Sequence, residues 1–257
     1  MYSADSAKEG CAKEQNSPCR RRKMVIECIG LPGSGKGELM KLVGKELERR
    51  EVDYINVSFK MKHNIIWKLM GAAAGALIYL SSDARWLRDR LREILRGEGG
   101  SPSRFGISAD PERLIRAIAV YAFWYRRFIR SHKLYLFDEG MVHLITLFAA
   151  DHEISDETFR KIVVASERGI RKARLVILNK VPVEEALLSM DTGEGSEKIF
   201  GKAEGEDRAE LFREWDRFTE VYKSCFRALE VQSGEEKRKK MSRVFGRIRQ
   251  ILSETDI

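Results

Sequence analysis

The octapeptide GLPGSGKG, residues 30–37, sets four glycines and one lysine between a strand-like and a helix-like run. The preceding MVIECI (24–29) is the continuous apolar run expected of a strand covered on both faces. The following ELMKLVGKELERR places Leu39, Met40, Val43 and Leu47 on one helical face. A strand that turns through glycines straight into a helix can wrap an anion in backbone N–H groups, because glycine accepts unusual dihedrals and carries no obstructing Cβ. The helix start adds about half a positive charge, and the Lys36 ammonium can reach outer phosphates. The segment is therefore read as a polyphosphate cradle formed by Gly30, Pro32, Gly33, Ser34, Gly35, Lys36, Gly37 and Glu38.

Further runs of the same kind follow. VDYINVSF (52–59), KLYLFDEG (133–140), RLVILNK (174–180) and ALEVQ (228–232) read as strands, and most of the chain between them is amphipathic helix. One such helix is opened by Asp110-Pro111, and VPVEEALLSM starts another with Pro182 in its first turn. This alternation predicts an α/β fold: a doubly wound, largely parallel five-stranded sheet flanked by helices. The expected organisation is a polar and basic extension over 1–22 and one domain over 23–257. That domain carries a helical acceptor-side insert at about 60–131 and a glycine-rich, charged lid at about 190–207.

KLYLFDEG supplies the second chemical element. A carboxylate at a strand tip beside a phosphate cradle can hold Mg²⁺, directly or through water, which assigns the metal to Asp138. Glu139 is placed to orient an attacking group or a second water. ATP with Mg²⁺ is the expected ligand pair.

Gly30, Gly35 and Lys36 fit the pattern G-x-x-x-x-G-K, with Gly37 where Ser or Thr commonly follows. GLPGSGKG resembles the variant in adenylate kinase and its relatives, G-x-P-G-x-G-K-G followed by Thr, with Glu38 here in the last place. From residue 174 onward the order of parts is similar to that of nucleoside monophosphate kinases, thymidylate kinase among them: a strand, a Pro-containing turn and helix, a lid, then a last strand and helix. DEG with VHLITLF downstream looks like the thymidylate-kinase-like proteins that accompany surface-polysaccharide genes.

The resemblance implies a P-loop kinase that passes the γ-phosphoryl of ATP to a nucleoside monophosphate or similar metabolite. Two departures stand out. Thymidylate kinases carry Asp-Arg where this chain has Asp138-Glu139, and their lid helix ends in arginine where this chain has Met190-Asp191. The cation that meets the transferred phosphoryl must then come from Lys198, Lys202 or Arg208, with Arg208 preferred because it opens the helix after the lid. Arg113, Arg116, Tyr121 and Trp124 are candidates for acceptor contacts.

Two other readings compete. LVILNK ends in Asn179-Lys180, as a guanine-reading strand does, but Pro182 stands where that motif needs Asp, and Met141 occupies the last position of the switch motif D-x-x-G. A nucleotide-binding protein without transfer activity draws support from Glu38 and from the apolar segment 65–80.

Charge narrows the partners without choosing one. A formal +8 and a pI near 9.3 favour anionic ligands, and no groove-reading motif makes nucleic acid an expected partner. IIWKLMGAAAGALIYL (65–80) is shorter than the roughly 20 apolar residues of a spanning helix and contains Lys68. It reads as a packed internal helix, with peripheral membrane contact as the alternative. The cysteines at 11, 19, 28 and 225 form no disulfide or zinc spacing, and the first residues lack an apolar signal core, so a cytoplasmic setting is expected. The oligomeric state is left open.

Overall fold

The computed structural model describes residues 24–65, 81–96, 103–105, 110–130, 133–168, 174–191 and 206–254. The expected extension over 1–22, most of the apolar segment 65–80, and lid residues 192–205 with Lys198 and Lys202 lie outside the described residues.

The elements run β1 (Met24–Ile29), α1 (Lys36–Arg49), β2 (Tyr54–Asn56), α2 (Val57–His63), α3 (Ser82–Arg96), α4 (Pro111–Ile129), β3 (Leu134–Phe137), α5 (Met141–His152) and α6 (Asp156–Glu167). There follow β4 (Arg174–Lys180), α7 (Val183–Asp191), α8 (Glu206–Cys225), β5 (Ala228–Gln232) and α9 (Lys237–Glu254). The five strands form one parallel sheet in the order β2-β3-β1-β4-β5. β1 is central, with Val25 opposite both Tyr135 of β3 and Arg174 of β4.

Period-two alternation along the strands divides the core. Met24, Ile26 and Cys28 join Leu39, Met40 and Val43 of α1 and Val244 and Phe245 of α9 on one face. Val25 and Ile29, with Tyr135, Phe137, Val176 and Leu178, join the helices α3 to α8 on the other. Both faces are covered, which is why β1 and β4 lack polar/apolar alternation.

The strand expected over 52–59 is corrected. β2 ends at Asn56, whose side chain accepts from the Phe59 N–H at 2.9 Å and caps α2. An N-cap oxygen that satisfies an orphan amide outweighs the β preference of Val57 and Phe59. Pro182 also shifts: it precedes α7 and accepts the Ala186 N–H at 3.0 Å, one place before the helical turn expected to contain it. On α4, Asp110 caps as expected, accepting from the Arg113 N–H at 3.0 Å. Among the described residues no helix is long and apolar enough to cross a membrane.

Candidate functional site

The connection leaving β1 leads to α1 on one face of the sheet, and the connection leaving the adjacent β3 leads to α5 on the other. Neighbouring strands whose connections part to opposite faces leave a crevice at their carboxyl ends, the place where open α/β sheets receive ligands. The glycine loop and the Asp138 turn are the two lips of that crevice.

The loop is built by its own residues. Ser34 N–H donates to Leu31 O at 3.0 Å, with Pro32 and then Gly33 at φ 79° between them. Proline before a positive-φ glycine is the signature of a type II turn. Gly35, at φ 78° and ψ 19°, then turns the chain left-handed into α1. Among the described residues, the amides of Gly33, Gly35 and Gly37 have no backbone carbonyl partner. The first amides of any helix need partners from outside it, because no preceding helical turn exists to supply them.

Packing fixes the loop's position. A Cβ on Gly30 would stand 2.5 Å from the Asn179 carbonyl oxygen and 2.8 Å from Ser34 Oγ, and one on Gly33 would stand 2.7 Å from the Ala186 carbonyl oxygen. The loop is thus wedged against the tip of β4 and the start of α7. Lys36 is buried, and its ammonium donates to Gly30 O and Leu31 O, each at 3.0 Å, so the cation is folded over the loop itself. Ser34 Oγ is buried and makes no hydrogen bond among the described residues.

Gly37 and Glu38 face outward. Glu38 is 69% exposed and lies 3.8 Å from Lys41, so its carboxylate belongs to solvent. Open space surrounds the position of a Cβ on Gly37.

Across the crevice, the Asp138 N–H donates to Ser58 Oγ of α2 at 3.2 Å, while Glu139 is exposed. The buried Cys28 thiol, on β1, is pushed up to about 12 by burial; Lys36 pulls it down, and Asp138 and Glu27 push it further up. Among the described residues no group of three or more His, Cys, Asp or Glu is disposed to hold a metal.

The remaining candidates separate. Arg208 is in the first turn of α8, and α8 packs against α5, α6 and α7. Arg113 is exposed and paired with its own helix cap, Asp110, at 3.3 Å. Tyr121 packs edge-on to Tyr125 and Phe137, and Trp124 stacks on Phe128, so these part-buried aromatics pack against the core beneath α4. Packing claims them because they share the helix stripe that lies on the sheet.

Sequence reading missed two buried features. Asn179 donates through its side-chain amide to the Ser34 carbonyl and so ties β4 to the loop. Lys180 is held by Asp216, at 3.5 Å, and Glu220. The pair that hinted at guanine reading is thereby engaged with the protein. The second feature is a charge network under the Asp138 turn, where Arg174 lies 3.1 Å from Glu27 and 3.3 Å from Glu167 with all three side chains buried. None of the guanidinium nitrogens makes an aligned hydrogen bond, so the coupling is coulombic. Tyr125 donates to Glu27 at 3.0 Å and Tyr222 to Glu167 at 2.7 Å. Burial pushes Glu27 up, with Arg174 and the amides of His143 and Val142 pulling against it; Arg174 itself is raised by Glu27 and Glu167 in spite of its burial.

No family model matches the chain, and no curated protein matches it in sequence. Among solved structures it is similar to deoxyadenosine kinase from M. mycoides. The form with bound dATP gives a TM-score of 0.46 at 10% identity, covering 88% of this chain and 100% of that one. The form with dCMP and dCDP gives 0.47 at 8% identity, with the same coverage. At such scores and identities the functional reading has to rest on the chain's own geometry.

Proposed function

We propose that this chain is a P-loop phosphotransferase that binds ATP at residues 30–37 and passes its γ-phosphoryl to a small-molecule acceptor, a nucleoside monophosphate or similar metabolite. The observation that carries the proposal is the loop at the sheet's switch point: two left-handed glycines, amides without carbonyl partners, and the ammonium of Lys36 folded over them.

The residues fit a phosphate tail. Gly33 and Gly35 hold conformations that an L side chain adopts only with strain, and this turns successive N–H groups toward one point. The orphaned Ser34 hydroxyl adds a donor. Lys36 neutralises the outer phosphates, and the start of α1 adds its partial charge.

Asp138 is the proposed Mg²⁺ anchor. A single protein carboxylate suffices there, since Mg²⁺ keeps several waters and shares its remaining positions with phosphate oxygens. Held there by Asp138, the ion would supply positive charge against the phosphate oxygens. Glu139 is exposed beside it and free of the core, as a group that orients an acceptor hydroxyl has to be. Arg208 is retained as the proposed cation of the closing side. Catalysis in this scheme is positioning and charge neutralisation.

The test is ADP formation from ATP and Mg²⁺ with a panel of nucleosides, nucleoside monophosphates, sugars and lipid-linked sugars. Acceptor-dependent turnover supports transfer. Turnover independent of acceptor indicates an ATPase, and nucleotide binding without turnover a binding module. Absence of nucleotide affinity withdraws the site altogether.

A further inference from the structure

We infer that Glu27 is a positioning residue that fixes the acid-bearing turn Asp138–Gly140 against the phosphate loop. The inference rests on the assignment of Asp138 to the Mg²⁺ side of the site.

The first amides of any α-helix need partners from outside the helix. In α5 the N-cap is Gly140, which has no side chain to offer. The partners come instead from two elements distant in sequence. Glu27 Oε1, on β1, accepts from Val142 N–H at 2.6 Å and His143 N–H at 3.2 Å. The Tyr125 hydroxyl, on α4, accepts from Met141 N–H at 3.1 Å and donates its own proton to Glu27 Oε2 at 3.0 Å. One carboxylate and one phenol thus clamp three successive amides directly after the turn.

Gly140 is required by close approach. A Cβ there would stand 2.4 Å from the Tyr125 hydroxyl oxygen and 2.5 Å from Glu27 Cδ, so only glycine lets the turn settle onto the carboxylate. The clamp is itself held from below by Arg174, 3.1 Å from Glu27 Oε2. On its other side the turn is held by the Asp138 N–H bond to Ser58 Oγ. Asp138 therefore has one anchor in α2 and a second that leads through Gly140 to Glu27, on the strand that also feeds the phosphate loop. A fixed distance between carboxylate and loop is what a shared metal requires, and groups behind a ligand commonly set its affinity.

The test is calorimetric binding of a non-hydrolysable ATP analogue to the full chain, in EDTA and in Mg²⁺, for wild type, Asp138→Asn, Glu27→Gln and Tyr125→Phe. Wild type is expected to bind more tightly with Mg²⁺, and Asp138→Asn to lose that gain. Glu27→Gln should reduce the Mg²⁺ gain by about tenfold with metal-free affinity unchanged. Tyr125→Phe should act in the same direction by less. A Glu27→Gln protein with the full Mg²⁺ gain overturns the inference, as does one that loses metal-free affinity in equal measure, which marks a general structural role. If Glu27→Gln does not fold, Tyr125→Phe, which removes one hydroxyl and no charge, is judged by the same criterion. A wild type without analogue binding, or an Asp138→Asn protein with the full gain, overturns the underlying site assignment instead and takes the inference with it.

Discussion

The phosphate loop and the Glu27–Arg174 network lie on the same two strands, and they are held together in opposite ways. The loop is local: within six residues its proline, its glycines and one turn bond set its shape, and its working groups are backbone amides. The network is dispersed: Tyr125 is 98 residues from Glu27, and Tyr222 is 55 residues from Glu167. In the proposed reading the first gives up stability for an anion site, because left-handed glycines and unpartnered amides are costly until a ligand binds. The second has its charges engaged within the fold, one guanidinium facing two carboxylates, and offers little to a ligand. Damage to the network away from the Glu27 clamp, at Arg174 or Tyr222, should therefore appear chiefly as lost stability, and damage to the loop as lost affinity.

The largest break is expected from Arg174→Met, which strands two buried carboxylates. Stability should fall by about 3–5 kcal/mol, read from the denaturant midpoint. A loss below 1 kcal/mol would show that the network contributes little. Lys36→Ala tests the other region: it removes a charge-assisted contact of about 1.5–3 kcal/mol, and ATP affinity should fall roughly 10- to 100-fold while the melting temperature moves little. Unchanged affinity by calorimetry would remove the loop from the site.

Tyr222→Phe sharpens the contrast from the network side. Losing the hydroxyl that reaches Glu167 should cost about 1–2 kcal/mol of stability and leave nucleotide affinity untouched.

Alkaline pH probes the strand between the two regions. Cys28 rises in the fold to about 12 from its ordinary 9.0, so it binds its proton more tightly folded than unfolded. Its contribution to stability is complete below pH 9 and is lost as pH rises toward about 12. Tyr54, raised by burial and by Glu48 to about 12 from 10.0, acts with the same sign. Melting temperatures from pH 8 to 11.5 should therefore fall, and Cys28→Ala should flatten part of that fall. An equal slope in the variant would sink the assignment. The smallest effect is expected from Gly37→Ser, where open space admits the side chain and the helix gains about 0.5 kcal/mol, measured by thermal melting.

The fold was largely legible in the sequence. Apolar runs at 24–29, 133–137, 174–180 and 228–232 became strands, and the helix stripes between them became the two covering layers. Over 52–59 the β-branched run outlasts the strand, because Asn56, three places before Phe59, is a helix cap. On α4, Tyr121 and Trp124, candidates for acceptor contacts by sequence, are partly buried and packed against the core beneath the helix.

By itself the sequence determined the shape of the glycine loop and the alternation of elements, because both depend on residues a few places apart, where dihedral preference and side-chain period act directly. The tertiary structure decided the rest: that β1 lies between β3 and β4, that Glu38 faces solvent while Asn179 grips the loop, and that Glu27 meets Arg174 beneath Asp138. Those pairings join residues brought together only by the sheet and its crossovers, and no local spacing encodes which distant charge will neutralise a buried one.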